Sequence, residues 1–191
     1  MIKKYGVLLL IILLTAILRL WNLPNNPPGL TWDEASIGYN AYSILNTAKD
    51  EYGNFLPPNL KSFGDYKPAL YVYLDIPFVA IFGLNELAVR LPSALLGILT
   101  VIIIYFLTFE FFGKKWLSLS CALLLAINPW HIQFSRAAFE ANMALSLNIL
   151  GIYLFLKSEK KKYWLLFSVI SFGLSLFSYQ ASRIFVPMMV F

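Results

Sequence analysis

Cysteine, histidine and charge are all scarce in this chain of 191 residues. The single cysteine, Cys121, sits in an apolar run and cannot form an internal disulfide, which excludes a disulfide-stapled secreted module. The single histidine, His131, has no HxxxH or CxxC partner with which to preform a zinc site, and reads as an interfacial aromatic. Charged residues make up 13% of the chain, about half the share usual in soluble domains. No P-loop, GxGxxG, GxSxG or HExxH occurs, so soluble nucleotide or protease chemistry has no support. GxxxG is missing too. Gly97, Gly151 and Gly173 stand isolated, which leaves a scaffold assembled through helix dimers little to rest on.

Apolar sequence fills the space instead, with 59% hydrophobic residues and a mean hydropathy of +0.69. One soluble core of this size cannot hide that surplus, so several segments must face lipid. The net charge of +5 does not point to nucleic acid, because the lysines cluster where a membrane protein places them. Apolar spans are expected at about 5–21, 88–112, 116–129, 140–157 and 163–178, with another starting at 184. The fold class that follows is all-α, a polytopic membrane helix bundle of which residues 1–191 form the N-terminal part. The first run follows Lys3 and Lys4 and has no small-x-small cleavage site, so it reads as an uncleaved helix with Arg19 snorkelling outward.

The stretch 69–83 is apolar but short, and it contains Asp75 and Pro77. The positive-inside rule decides its status. If it does not span, Lys3, Lys4, Lys114, Lys115, Lys157, Lys160, Lys161 and Lys162 all fall on the inner side. It is therefore a juxtamembrane or re-entrant helix. The N-terminus is then cytoplasmic in a multi-pass cell-membrane protein. The long loop 22–87, the loop 129–139 and the corner 178–183 lie outside, which puts eight of the ten acidic residues on or near the outer face. Any chemistry belongs to the outer face.

Within the long loop, Thr31-Trp32-Asp33-Glu34 is a capping box that opens a juxtamembrane helix over about 32–46. Two acids also simply suit a helix N-terminus. Asp65, Tyr66 and Lys67 follow in a polar turn, where a lysine can sit in headgroup water or hold a phosphate as a point charge. In the second loop Arg136 and Glu140 have the i,i+4 spacing of a helical pair, as do Glu86 and Arg90. Arg183 marks the third corner. Carboxylates (Asp33, Glu34, Asp65) and cations (Lys67, Arg136, Arg183) thus share one membrane face beside apolar helices. That set suits a lipid-linked anionic substrate, with its tail in the bilayer, its phosphate at the cations and its reactive carbon near a carboxylate. A carboxylate there can act as general base towards an acceptor hydroxyl.

Arg19-Leu-Trp-Asn followed by Pro28-Gly-Leu-Thr-Trp-Asp33-Glu34-Ala resembles the first-loop signature of GT-C integral-membrane glycosyltransferases. The branch it resembles is the protein O-mannosyltransferase and aminoarabinose-transferase type, including RgtA/B/C/D-like proteins. Lys67-Pro68-Ala-Leu-Tyr is similar to that group's KPPL-type motif, and Asn85-Glu-Leu-Ala-Val-Arg90-Leu-Pro-Ser-Ala to the opening of its next helix. Ser135-Arg136 with Glu140 occupies the place of its second-loop arginine motif. The likeness runs over about residues 15–187. It implies a GT-C-like bundle and transfer of a sugar from a polyprenyl-phosphate donor to a hydroxyl acceptor (lipid, glycan or protein). It also implies Asp33 as the catalytic acid position, Glu34 beside it, and substrate binding by Asp65, Tyr66, Lys67, Arg136 and Arg183. A divalent metal is left open, because Tyr66 stands where some relatives carry a metal-ligating carboxylate. The rival reading is a transporter or carrier of a lipid-linked phosphate that does no chemistry; mid-membrane charge, which it would favour, is nearly absent from the expected spans.

Overall fold

The computed structural model describes residues 2–190, with side chains from 6 to 189. Its elements are α1 (Ile2–Leu20), α2 (Trp32–Thr47), β1 (Asn59–Ser62), β2 (Asp65–Pro68), α3 (Leu70–Phe82), α4 (Glu86–Phe112), α5 (Lys115–Ile127), α6 (Pro129–Arg136), α7 (Glu140–Ser158), α8 (Tyr163–Leu176) and α9 (Ser182–Val190). Nearly every expected apolar run is a helix. Among the described residues two of them, α4 and α7, are long and apolar enough to cross a membrane, and α5 with α6 makes a third if the pair is taken as one span bent by 58°. At 1.5 Å per residue, α4 extends about 40 Å and α7 about 28 Å. The expected spans 116–129 and 163–178 form helices of 13 and 14 residues. Each extends about 20 Å, short of the roughly 30 Å hydrocarbon layer.

Local chemistry sets the element ends. Thr31 caps α2: its hydroxyl accepts from the Glu34 N–H, and the Glu34 carboxylate accepts from the Thr31 N–H, the reciprocal bonds of a capping box. Asn85 caps α4 by accepting from the Ala88 N–H. Asn128 closes α5 and opens α6, where its side chain accepts from the His131 N–H and Pro129 takes the first position, which needs no donor. The loop 129–139 is therefore largely helical, which its sequence does not announce.

The polar turn is an antiparallel hairpin, with Leu60 opposite Lys67 and Ser62 opposite Asp65. Phe63 and Gly64 at its tip both have positive φ, 48° and 92°, as a two-residue hairpin turn of the primed type demands. One apolar core joins α2, the hairpin, α3 and the start of α4 through Ile37, Ile44, Leu60, Tyr71, Val72 and Val89. A second joins α1, α4 and α5 through Leu8, Ile11, Val101, Tyr105 and Ala122.

Arg19 does not snorkel. It is fully buried, and its guanidinium donates to the Ala126 carbonyl at 3.1 Å and lies 2.6 Å from His131 Nδ1. A buried guanidinium must spend its donors on internal acceptors, and the break between α5 and α6 supplies them. His131 is correspondingly buried rather than interfacial.

Candidate active site

Successive residues on a helix point about 100° apart, and the first turn of α2 separates Asp33 from Glu34 on that basis. Asp33 faces a groove of about 410 Å³ whose lining includes Asp65, Lys67, Pro68, Phe139, Glu140, Tyr179 and Gln180. Its carboxylate accepts from the Lys67 ammonium. The pair is unequal, with the Lys67 side chain 18% exposed and that of Asp33 53%. The hairpin delivers Lys67, since β2 carries it opposite Leu60, which is buried in the core. Phe134 and Phe139, with ring centroids 4.8 Å apart, wall the other side. Glu140 opens α7 at the groove edge and senses the charges of Lys67, Asp33 and Asp65.

Glu34 lies elsewhere. It is buried, and its carboxylate accepts from Arg90 Nε at 2.8 Å and Nη2 at 3.2 Å, from the Thr31 N–H at 2.9 Å and from the Ala138 N–H at 3.2 Å. Burial opposes its ionisation, but the Arg90 hydrogen bonds, the Thr31 and Ala138 N–H groups and the Arg90 charge outweigh burial. They hold its carboxyl below the usual carboxylate range. Arg90 does not pair with Glu86. Its Nη1 donates to the carbonyls of Leu23, Pro24 and Pro27 at 3.2, 3.2 and 2.8 Å, and its Nη2 to that of Gly29.

Arg136 makes no pair with Glu140 either. Its fork donates to the carbonyls of Leu18 (2.9 Å), Trp21 (2.8 Å) and Asn26 (2.8 Å). Two guanidiniums thus gather the carbonyls of the segment between α1 and α2 from two sides. The structure brings Asp33, Asp65 and Lys67 together, adds Glu140 and Gln180, and sets Glu34 and Arg136 into the framework behind them. Tyr66 has an exposed ring, and its carbonyl accepts from Gln180 Nε2 at 2.7 Å. Arg183 is not among the residues lining the groove, and its Nη2 lies 3.4 Å from Asn59 Oδ1 at the start of β1. The signal for Glu140 was present in the sequence as an acid opening a helix on the face that carries the other acids; Gln180 gave none.

Among the described residues no three His, Cys, Asp or Glu side chains converge as a metal-ligand set, and Asp33 is already engaged by an ammonium. The residues present do not fit a preformed metal site, and no step below passes through one.

Apolar helices long enough to cross a bilayer, with carboxylates and an ammonium gathered in a groove at one end, define an integral membrane protein with a polar site at its surface. More narrowly, the chain belongs to the dolichyl-phosphate-mannose-protein mannosyltransferase (PMT) family, whose model matches residues 9–183. That membership bears out the resemblance to GT-C integral-membrane proteins. A Bacillus subtilis (strain 168) protein, "Putative mannosyltransferase YkcB", is 25% identical over 193 residues, covering 97% of this chain and 26% of that one. The chain therefore spans about a quarter of the length of this curated relative. No solved structure matches it.

Proposed function

We propose that the groove transfers a sugar, mannose by family, from a polyprenyl-phosphate donor to a hydroxyl acceptor. The Asp33–Lys67 pair at a groove beside apolar helices carries this reading. The Lys67 ammonium is paired with Asp33 in a groove that Asp65 and Glu140 also line, so a donor phosphate reaches Lys67 by displacing Asp33 from it. The displaced carboxylate is then free to act as general base. The acceptor oxygen attacks the anomeric carbon as the bond from that carbon to the phosphate oxygen breaks. Asp33 takes the hydroxyl proton, and polyprenyl phosphate leaves with its new charge against Lys67. Asp65 and Glu140 shape the acidic side of the groove, the Tyr66 carbonyl fixes the corner through Gln180, and Arg183, beside β1, is the further cation that the donor phosphate would recruit.

In this proposal the lysine-rich loops are cytoplasmic, the groove opens on the outer face of the cell membrane, and α1, α5 and α8 cross together with α4 and α7. The test is mannose transfer from a radiolabelled polyprenyl-phosphate mannose pool in membranes carrying the full-length protein, with protein level matched by blot. Asp33→Asn is expected to lower transfer by about 10²–10⁴-fold. Lys67→Met is expected to weaken donor saturation as well. Unchanged transfer in Asp33→Asn sinks the mechanism. Loss of donor binding in Lys67→Met beside full function of Asp33→Asn would favour a carrier without chemistry.

A further inference from the structure

A second cavity, of about 560 Å³, lies at the other end of the helices. Helix α7 connects the two places: Glu140 edges the groove, while Lys157, 17 residues on and about 26 Å along the axis, lines the cavity. Lys115, Lys157 and Lys160 face one carboxylate there, Glu110. Glu110 accepts from the Lys157 ammonium at 3.2 Å and from that of Lys160. Each ammonium carries three donors, so a single carboxylate bond leaves capacity on both for another anion. Lys157 and Lys160 thus set two positive charges against one negative.

The remaining walls are apolar and aromatic. Phe106 and Tyr153 lie with ring centroids 6.3 Å apart, and the Lys157 ammonium sits 5.6 Å over the Tyr153 ring. A free inorganic anion would use the ammoniums and leave these walls idle. A phospholipid uses both parts, with its phosphate at the lysines and its first methylenes along the rings. The position fits as well, since the cavity is built largely from the ends of α4 and α7, both long and apolar enough to reach across a bilayer. Ammoniums at that depth meet headgroup phosphates.

We propose that this cavity is a binding site for the phosphate group of an anionic phospholipid, held by Lys157 and Lys160 and seated on the Phe106–Tyr153 wall. Lys161 and Lys162 belong to the same loop but do not line the cavity, and they supply the control.

The detergent-purified protein is titrated with phosphatidylglycerol or phosphatidylcholine, and bound lipid is counted by native mass spectrometry. Phosphatidylglycerol is expected to bind preferentially, and K157Q/K160Q to bind it about tenfold more weakly. K161Q/K162Q removes the same formal charge and is expected to keep wild-type binding. Because K157Q/K160Q leaves Glu110 without its two cations, the triple variant E110Q/K157Q/K160Q is measured beside it, and it is expected to lose the lipid equally while melting like the wild type. Equal losses in the two double variants would mean a diffuse basic surface and overturn the site. No preference for phosphatidylglycerol would overturn it too. Inorganic phosphate at millimolar concentration is expected to leave the lipid bound; full displacement by it would make the ligand a free anion and overturn the lipid assignment.

Discussion

Asp33 and Glu34 are neighbours in sequence and opposites in surroundings. Asp33 is half exposed and has one partner, Lys67, on a hairpin from another part of the loop. Glu34 is buried and has Arg90 and two backbone N–H groups around it. Chemistry needs a group whose partner a substrate can displace, and an exposed one-to-one pair meets that need. A framework needs groups that nothing displaces, and a buried carboxylate with four donors meets that one. One residue step along α2 converts the first condition into the second.

The contrast breaks most severely at the buried acid. Glu34→Ala strands the Arg90 charge in the core and is expected to destabilise the protein by about 3–5 kcal/mol, read as lost expression or a collapsed melting transition in detergent. Next comes the seat of α2 on α4. A Cβ added at Gly38 would lie 2.6 Å from Val89 Cγ2, so Gly38→Ala is expected to cost about 1–3 kcal/mol and to tilt both acids together. Melting and transfer should fall in step.

Acid sharpens the comparison further. The Glu34 carboxyl lies below its ordinary value in the fold, so its contribution to stability is complete above the unfolded value and fades as pH falls through the lower folded one. Melting temperature should therefore drop on acidification in wild type and less steeply in Glu34→Gln. A parallel drop in both would assign the acid sensitivity to other carboxylates. The smallest effect on stability is expected from Asp33→Asn, which loses an exposed pair worth about 0–1 kcal/mol while transfer falls by about 10²–10⁴-fold. A large loss of stability there would put Asp33 with the framework instead.

What was legible from sequence was local. The α2 cap could be read because Thr31 and Glu34 lie three residues apart and satisfy each other. Apolar runs located the helices because their composition decides burial without reference to neighbours. The hairpin was missed because its tip is Phe63-Gly64, which lacks the Asn-Gly or Asp-Gly signal, and because its strands are only four residues long. The partners of the arginines were hidden for a different reason. Arg19 snorkelling outward, and helical pairs of Arg90 with Glu86 and of Arg136 with Glu140, are what spacing suggests, yet acceptors of all three lie on segments brought together only by folding. Such acceptors are backbone carbonyls, and a sequence carries no mark of which carbonyls will be left over. For the groove, Asp33, Asp65 and Lys67 could be grouped by the membrane face they share. The separation of Glu34 from Asp33 could not, because it depends on what packs behind α2.

The hydrogen bond from Gln180 to the Tyr66 carbonyl sets a schedule for synthesis. The two residues are 114 positions apart, so at ribosomal speed the hairpin waits roughly ten seconds for the corner that fastens it. Throughout that interval Lys67 and Asp33 are already made, while the wall opposite them is still being translated. A nascent protein halted before residue 180 would carry the charged pair without its enclosure. The groove is completed among the last contacts of this segment.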